Sequence, residues 1–290
     1  MTQPTPQRPR LIFTGLDGSL LDHYSYDWSP AVAWLKRLKQ AGVPVIPVTS
    51  KTRAELMALR LDLGLGDAPF IAENGAVIGL PASWQHARLD RDPRNLDGLC
   101  IKLPSVDSDF LWRRLEVLRE RLKLRYRCMR EMTVDEIMRA TGLDEPQARQ
   151  SRIREGSEPL LWDDSDEALE IFRRALHNDG LTLTRGGRFW HVVGDVDKGR
   201  SLRWLMARFE ALRGEVPATL GLGDGPNDTS MLEAVDQAVL IRGAHRRPVT
   251  IANPHLYRTR NPGPAGWVEG LDYWLGESFF EPSSHEDEPA

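Results

Sequence analysis

The apolar positions of this chain change their spacing along its length. Leu11, Ile12 and Phe13 form an unbroken apolar run, the pattern of a strand buried on both faces. Ser29-Pro30 then reads as an N-cap followed by a first-turn proline. Val32, Leu35 and Leu38 recur at helical spacing beyond it, and Gly42 ends the helix. Val43 to Val48 predicts a second strand. Thr52-Arg53-Ala54-Glu55 is a capping box that opens a helix carrying Leu56, Leu59 and Leu63. Phe70-Ile71 and Ala76 to Ile78 predict further short strands. Repeated strand–helix–strand units imply parallel strands with right-handed crossovers.

From about Pro81 to Gly187 the texture differs. Amphipathic helices are predicted at Asp109–Leu122 and Asp166–His177. Strands are predicted near Leu99–Leu103, Leu160–Trp162, Leu181–Thr184 and Phe189–Val193. Helices mixed with well-separated strands indicate an α+β insert. After Asp195 the first rhythm returns. A helix starts at Lys198 with Leu202, Leu205, Phe209 and Leu212, and a strand runs from Ala218 to Gly223. Met231-Leu232 opens another helix, and Ala238 to Ile241 is a short strand. The expectation is an α/β chain: a Rossmann-like parallel-sheet core in two parts, 1–81 and 195–276, with an α+β cap at 82–194. The proline-rich first ten residues predict a frayed start, and Glu277 to Ala290 a disordered acidic tail.

Composition narrows the partners. The 290 residues are 41% hydrophobic and 28% charged, with a net charge of −4, which gives no general pull toward nucleic acid or an anionic membrane. Arginines cluster from Arg113 to Arg130, but acidic residues interleave with several of them, so solvated helix faces explain them more simply. No apolar run approaches the ~20 residues that span a bilayer, and no signal peptide is visible. Cys100 and Cys128 lack neighbours at metal-ligand spacing and read as reduced thiols. A cytoplasmic location follows as an expectation.

Four chemistry-bearing elements fall at strand ends or helix starts. They are Asp17 with its Gly18-Ser19 turn, Thr49-Ser50-Lys51, Asp197-Lys198-Gly199, and Asp224 with Asn227 and Asp228. Taken singly, each is an ordinary turn or helix-end residue. Together, in this order and with the insert between the second and third, they form the set that phosphoryl transfer needs. A carboxylate attacks phosphorus or shuttles a proton. Lysine and backbone N–H groups offset charge on the equatorial oxygens. Mg²⁺ takes one or two carboxylates plus water and phosphate.

Order and spelling resemble the haloacid-dehalogenase-like (HAD) phosphatases whose cap, of the C2 type, lies between the second and third motifs. Within them the chain resembles the mannosyl-3-phosphoglycerate phosphatase family. The matching segments include Val48-Thr49-Ser50-Lys51-Thr52, Pro69 to Gly75, Arg154-Glu155-Gly156-Ser157-Glu158-Pro159, Gly186-Gly187-Arg188-Phe189-Trp190-His191, Asp197-Lys198-Gly199, Gly223 to Asp228, and Gly263 to Trp267. The resemblance runs from about Leu11 to Leu275. It implies a Mg²⁺-dependent phosphatase for a small phosphorylated sugar-glycerate. Asp17 would be general acid/base and lend its carbonyl to Mg²⁺. Thr49 and Ser50 would meet the phosphoryl group, and Lys198 would hold phosphate and nucleophile. Asp224 and Asp228 would complete the metal site. In the cap, Arg154, Ser157, Gly187, Arg188 and His191 would grip the glycerate carboxylate and the sugar. Glu73-Asn74-Gly75 reads as a turn, with a face toward the sugar as the alternative.

The family pattern places an aspartate nucleophile where this chain has Gly15. That aspartate also ligates Mg²⁺, and glycine does neither. Three explanations fit: a natural loss that leaves a sugar-phosphate binding or regulatory protein, an engineered or erroneous substitution in an active phosphatase, or direct activation of water by Asp17. A HAD phosphatase for another sugar phosphate is the remaining alternative for substrate.

Overall fold

The computed structural model describes residues 8–91, 94–243 and 249–280. In chain order they form β1 (Arg10–Thr14), α1 (Val32–Gln40), β2 (Val45–Pro47), α2 (Arg53–Asp62), β3 (Phe70–Ala72), β4 (Val77–Leu80), β5 (Arg94–Leu96) and β6 (Leu99–Lys102). Next come α3 (Ser108–Leu122), β7 (Tyr126–Cys128), α4 (Val134–Thr141), α5 (Glu145–Ser151), β8 (Ser157–Trp162), α6 (Asp166–Asn178), β9 (Thr182–Arg185) and β10 (Trp190–Val193). Then follow α7 (Lys198–Arg213), β11 (Ala218–Gly223), α8 (Thr229–Leu232), β12 (Gln237–Arg242), β13 (Leu256–Pro262) and α9 (Gly263–Phe280).

The central sheet has the order β13-β12-β11-β1-β2, with every pair parallel. Its alternating side chains feed two cores. Ile12, Leu220, Leu222 and Val239 pack with Trp34, Leu38, Leu56, Trp267 and Leu271 on one face. Leu11, Phe13, Ile46 and Leu240 pack with Leu202, Leu205, Phe209 and Met231 on the other. Burial on both faces explains why β1 reads as a continuous apolar run rather than an alternating one. At roughly 25 cal/mol per Å² of apolar surface, these two cores are the main stabilising term.

Two antiparallel sheets accompany the parallel one, with the orders β3-β4-β6-β5 and β7-β8-β10-β9. The second forms its own core, where Leu160 and Val192 of the sheet meet Leu111 and Leu115 of α3 and Phe172 and Leu176 of α6. The first belongs with the α/β unit. Ile78, Leu80 and Cys100 pack against the α7 side, and Leu99 and Ile101 against the α1 side. Apolar packing therefore ties residues 82–102 to the core, and we propose a cap of about 103–194 in place of 82–194. Cys100 and Cys128 are both free and buried.

Local differences from the sequence reading have local causes. β2 is shorter than Val43–Val48 because Val43 N–H closes the turn onto Leu38 C=O and Val48 makes one parallel bridge to Ile71. Val32 lies 47% exposed, and Trp34 takes the inward position beside Leu35 and Leu38. α9 continues to Phe280, past Glu277, because Trp267, Leu271 and Leu275 carry it along the sheet. Residues 1–7 and 281–290 lie outside the described residues, so the predicted frayed start lies mostly, and the tail largely, beyond them. No described helix is long and apolar enough to cross a membrane.

Candidate active site

β1, β2 and β11 all point their carboxyl ends at one cleft, the usual ligand position of an open parallel sheet. The cap closes its far side. Lining residues include Gly15, Asp17, Thr49, Ser50, Lys198, Asp224 and Asp228 from the core, and Arg154, Gly187, Arg188 and His191 from the cap. Ser157 does not line it.

Each core residue is held by its local backbone. Gly15 N–H donates to Leu222 C=O at 2.8 Å, which extends the β1–β11 ladder into the cleft floor. The loop then turns at Gly18, whose φ of +80° and crowding by the Asp224 carboxylate exclude a side chain. Ser19 Oγ donates to Asp224 Oδ1 at 2.9 Å and so ties the first loop to the last. Thr49 is 3% exposed, and its hydroxyl accepts from Lys51 N–H at 3.1 Å. Asn74 N–H donates to Thr49 C=O at 2.9 Å, and Glu73 N–H to Lys51 C=O at 3.0 Å. The Glu73–Gly75 turn therefore pins the Thr49 loop. Asp197 caps α7 by accepting from Arg200 N–H at 2.8 Å. Gly75, at φ +107°, lies so close to Asp197 C=O that no Cβ fits between them, and Ser201 Oγ donates to its carbonyl at 2.7 Å. This packing fixes where Lys198 enters the cleft.

Two buried lysines and their carboxylate partners dominate the electrostatics. Lys198 Nζ lies 2.6 Å from Asp228 Oδ1, with the two side chains 4% and 3% exposed. The other Asp228 oxygen accepts from Asp224 N–H at 3.0 Å and Gly225 N–H at 3.1 Å. Lys51 Nζ lies 3.1 Å from Asp17 Oδ1 and 3.6 Å from Glu55 Oε1, and 5.1 Å from the Tyr26 ring centroid. Burial alone would lower the Lys51 ammonium, but Asp17 and Glu55 outweigh it and raise it above its ordinary value. Burial, with the Asp228 charge beside it, pushes the Asp224 carboxyl up to about 7. Asn227 Nδ2 donates to Asn74 Oδ1 at 3.1 Å and joins this loop to the Glu73–Gly75 turn.

On the cap side the predicted residues divide. Arg154 lines the cleft, donating from Nη1 to Ser50 C=O at 3.2 Å and Ser157 Oγ at 2.8 Å. Arg188 also lines it, donating to His23 C=O at 3.1 Å, 5.9 Å from the Tyr26 ring. Gly187 packs beside His23. His191 is 5% exposed, and its Nδ1 has no hydrogen-bond partner. Burial first, then the charges of Arg154, Lys198 and Arg185, keep the imidazole neutral far below its ordinary range. Ser157 lies behind Arg154 rather than on the lining, and its hydroxyl donates to Glu73 Oε2 at 2.7 Å.

Glu73 explains that orientation. The side chain is fully buried and accepts from Glu155 N–H at 2.9 Å, Gly156 N–H at 3.0 Å and the Ser157 hydroxyl. Burial raises its carboxyl, while Arg154 and the three donors oppose that shift. The Glu73–Gly75 turn is thus a clasp between core and cap, with Glu73 buried in the joint and not among the residues lining the cleft. Thr52 Oγ1 donating to Gln150 C=O at 3.0 Å and Tyr26 O–H donating to Thr141 C=O at 3.0 Å add to the joint. Sequence reasoning missed this role of Glu73; it read Lys51 only within the Thr49-Ser50-Lys51 element and Glu55 only as a capping-box residue, and it assigned Tyr26 no role. The Lys51–Glu55 spacing of four residues at a helix start was the available signal for that pair.

Without a carboxylate at position 15 the implied Mg²⁺ is short of a ligand in this donor set. Gly15 supplies no carboxylate, Asp17 faces Lys51, and both Asp228 oxygens are taken by Lys198 and backbone N–H groups. Among the described residues no group of three or more His, Cys, Asp or Glu side chains could hold a metal. Asp17, Asp224 and Asp228 surround one cleft without forming such a group.

A two-part parallel core with an antiparallel cap between its halves defines the class: this is the HAD-like fold, as the sequence led us to expect. No family model matches the chain. Among solved structures the chain is similar to BT1666 from Bacteroides thetaiotaomicron, a phosphatase of the haloalkanoate superfamily, at 19% identity and a TM-score of 0.65. That match covers 96% of this chain and 98% of the other. It is similar to the subclass IIB sugar phosphatase BT4131 at 17% identity and a TM-score of 0.63, covering 93% and 98%. Thermoplasma acidophilum 0175 matches at 16% identity and a TM-score of 0.64, covering 92% and 98%. At these identities the likeness establishes the fold.

Proposed function

We propose that this chain is a HAD-type phosphatase scaffold for a sugar phosphate, with a glycosyl-3-phosphoglycerate as its ligand, mannosyl-3-phosphoglycerate first. The observation that carries the reading is the convergence of Asp17, Thr49, Lys198 and Asp224 on one cleft whose floor is Gly15. Lys198 and the Thr49 loop would hold the phosphoryl group. Asp17, beside Lys51, would exchange a proton with the leaving alcohol. The cap guanidiniums of Arg154 and Arg188 would meet the carboxylate of the glycerate, where bidentate pairing favours arginine. The neutral His191 would offer a hydrogen bond to a sugar hydroxyl.

As written, the chain lacks the group that would form a covalent phosphoryl intermediate. Losing a nucleophile costs on the order of 10⁶ in rate elsewhere. We therefore read this sequence as a binder with at most slow hydrolysis by water. Gly15 itself is not demanded by the backbone, since its φ is not positive. A Cβ there would meet Ser19 Oγ at 2.9 Å and Ser19 Cβ at 3.4 Å, so the Ser19 side chain would have to turn from its hydrogen bond to Asp224, and then Asp228 Oδ2 at 3.6 Å. An aspartate at this position is compatible with the fold.

The test is turnover by the Gly15→Asp variant on a panel of mannosyl- and glucosyl-3-phosphoglycerate, sucrose phosphate and hexose phosphates. Preference for the glycosyl-3-phosphoglycerates is expected. A preference for hexose phosphates would move the assignment to another sugar phosphatase, and folded variant inert on every substrate would remove it.

A further inference from the structure

We propose that the cleft of this chain binds a phosphate dianion without a divalent metal, its lysines and cap arginines doing what Mg²⁺ would do beside a carboxylate at position 15. The inference rests on the phosphate-site reading above and concerns the same cleft.

Charge decides the point. Lys51, Arg154, Arg188 and Lys198 line the cleft, against Asp17, Glu55, Asp224 and Asp228. Among the described residues the charged lining side chains therefore number four of each sign. A further carboxylate at position 15 would leave the lining one charge negative before any phosphate entered. A dianion would then meet net repulsion, and a divalent cation would be the obvious remedy. With Gly15 that excess is missing.

The donor set points the same way. Mg²⁺ demands near-octahedral oxygen ligands and sheds its water reluctantly. Asp228, 3% exposed, is committed to Lys198 and two backbone N–H groups. Asp17 is paired with Lys51. Asp224 keeps an oxygen outside its hydrogen bond with Ser19. Without a carboxylate at position 15 the side chains offer a divalent ion few uncommitted oxygens, whereas Lys198 is already seated where its ammonium can face phosphate. Lys198 is 4% exposed and Lys51 7%, so each is poorly screened by water and acts at close quarters.

Calorimetric titration of the full chain with inorganic phosphate, once with chelator and once with excess Mg²⁺, tests this. Saturable binding is expected in both, with affinities within about twofold. Lys198→Ala, checked for folding by circular dichroism, should weaken it about tenfold or more. Mg²⁺ titrated without phosphate should give no saturable heat for the chain as written. For Gly15→Asp, Mg²⁺ should bind, and should tighten phosphate binding by about tenfold or more. Phosphate binding that appears in the unsubstituted chain only with Mg²⁺ overturns the inference and leaves the phosphate-site reading standing. No phosphate binding under either condition overturns both.

Discussion

The two walls of the cleft were built by different means. The core wall is local. Asp17, Thr49, Lys198 and Asp224 each sit within a few residues of a strand end or helix start, and the sheet's parallel order brings those ends together. The cap wall is long-range. Ser157 owes its direction to Glu73, some 80 residues earlier in the chain, which also grips the backbone at Glu155 and Gly156, and Arg154 is held in turn by the Ser157 hydroxyl and the Ser50 carbonyl. The lesson is that a motif at a strand end fixes both the residue and its aim, whereas a motif in an inserted unit fixes only the residue. Ser157 makes the point: it lies in a family-like segment, and its hydroxyl serves the joint.

That contrast orders the expected effects of substitution. The largest belongs to the core wall. In the Gly15→Asp background, Lys198→Ala should lower kcat/KM by roughly 10³, the scale of removing a buried charge-stabilising donor, measured as steady-state phosphate release. Next comes the joint. Glu73→Ala leaves the Glu155 and Gly156 N–H groups and the Ser157 hydroxyl without their acceptor and Arg154 without a nearby carboxylate. A loss of about 3 kcal/mol is expected on denaturant unfolding, with ligand affinity falling as Arg154 loses its support. An unchanged unfolding midpoint would mean the cap is not held by this clasp.

A smaller effect concerns pH. The Asp224 carboxyl is raised from about 3.8 to about 7 in the folded chain. The folded state therefore holds a proton more firmly than the unfolded one. Its contribution is present in full below about pH 4 and is lost as pH rises through about 7. The melting temperature should fall by roughly 2–4 °C for each kcal/mol lost between pH 5 and pH 8, and Asp224→Asn should flatten that slope. The smallest effect lies outside both walls. Arg149 and Glu145 form an i,i+4 pair on α5 with side chains 63% and 58% exposed. Arg149→Ala should cost less than about 0.5 kcal/mol. A cost near that of Glu73→Ala would erase the distinction between joint and surface.

Much of this was legible in the sequence, for identifiable reasons. β1 announced itself because burial on both faces leaves an apolar run. The capping box at Thr52 and Glu55 reads directly, and both of its hydrogen bonds are present. The edge of the cap was less legible, because β6 looks the same whether it joins an insert or, through Ile78–Lys102 and Leu80–Cys100 pairing, the sheet beside the core. β7, α4 and α5 were not foreseen. α4 and α5 are only 8 and 7 residues long, too short for periodicity to show. Lys51 was visible as a residue and not as a partner of Asp17, since that pairing depends on the approach of two loops from neighbouring strands.

The central claim is that the cleft is complete but for one carboxylate. Phosphate release from mannosyl-3-phosphoglycerate, measured side by side for the chain as written and for Gly15→Asp at equal folded concentration with Mg²⁺ present, tests it most directly. The account predicts release near background from the former and a rise approaching ~10⁶ in the latter. Equal rates from the two proteins, whether both high or both at background, would contradict it.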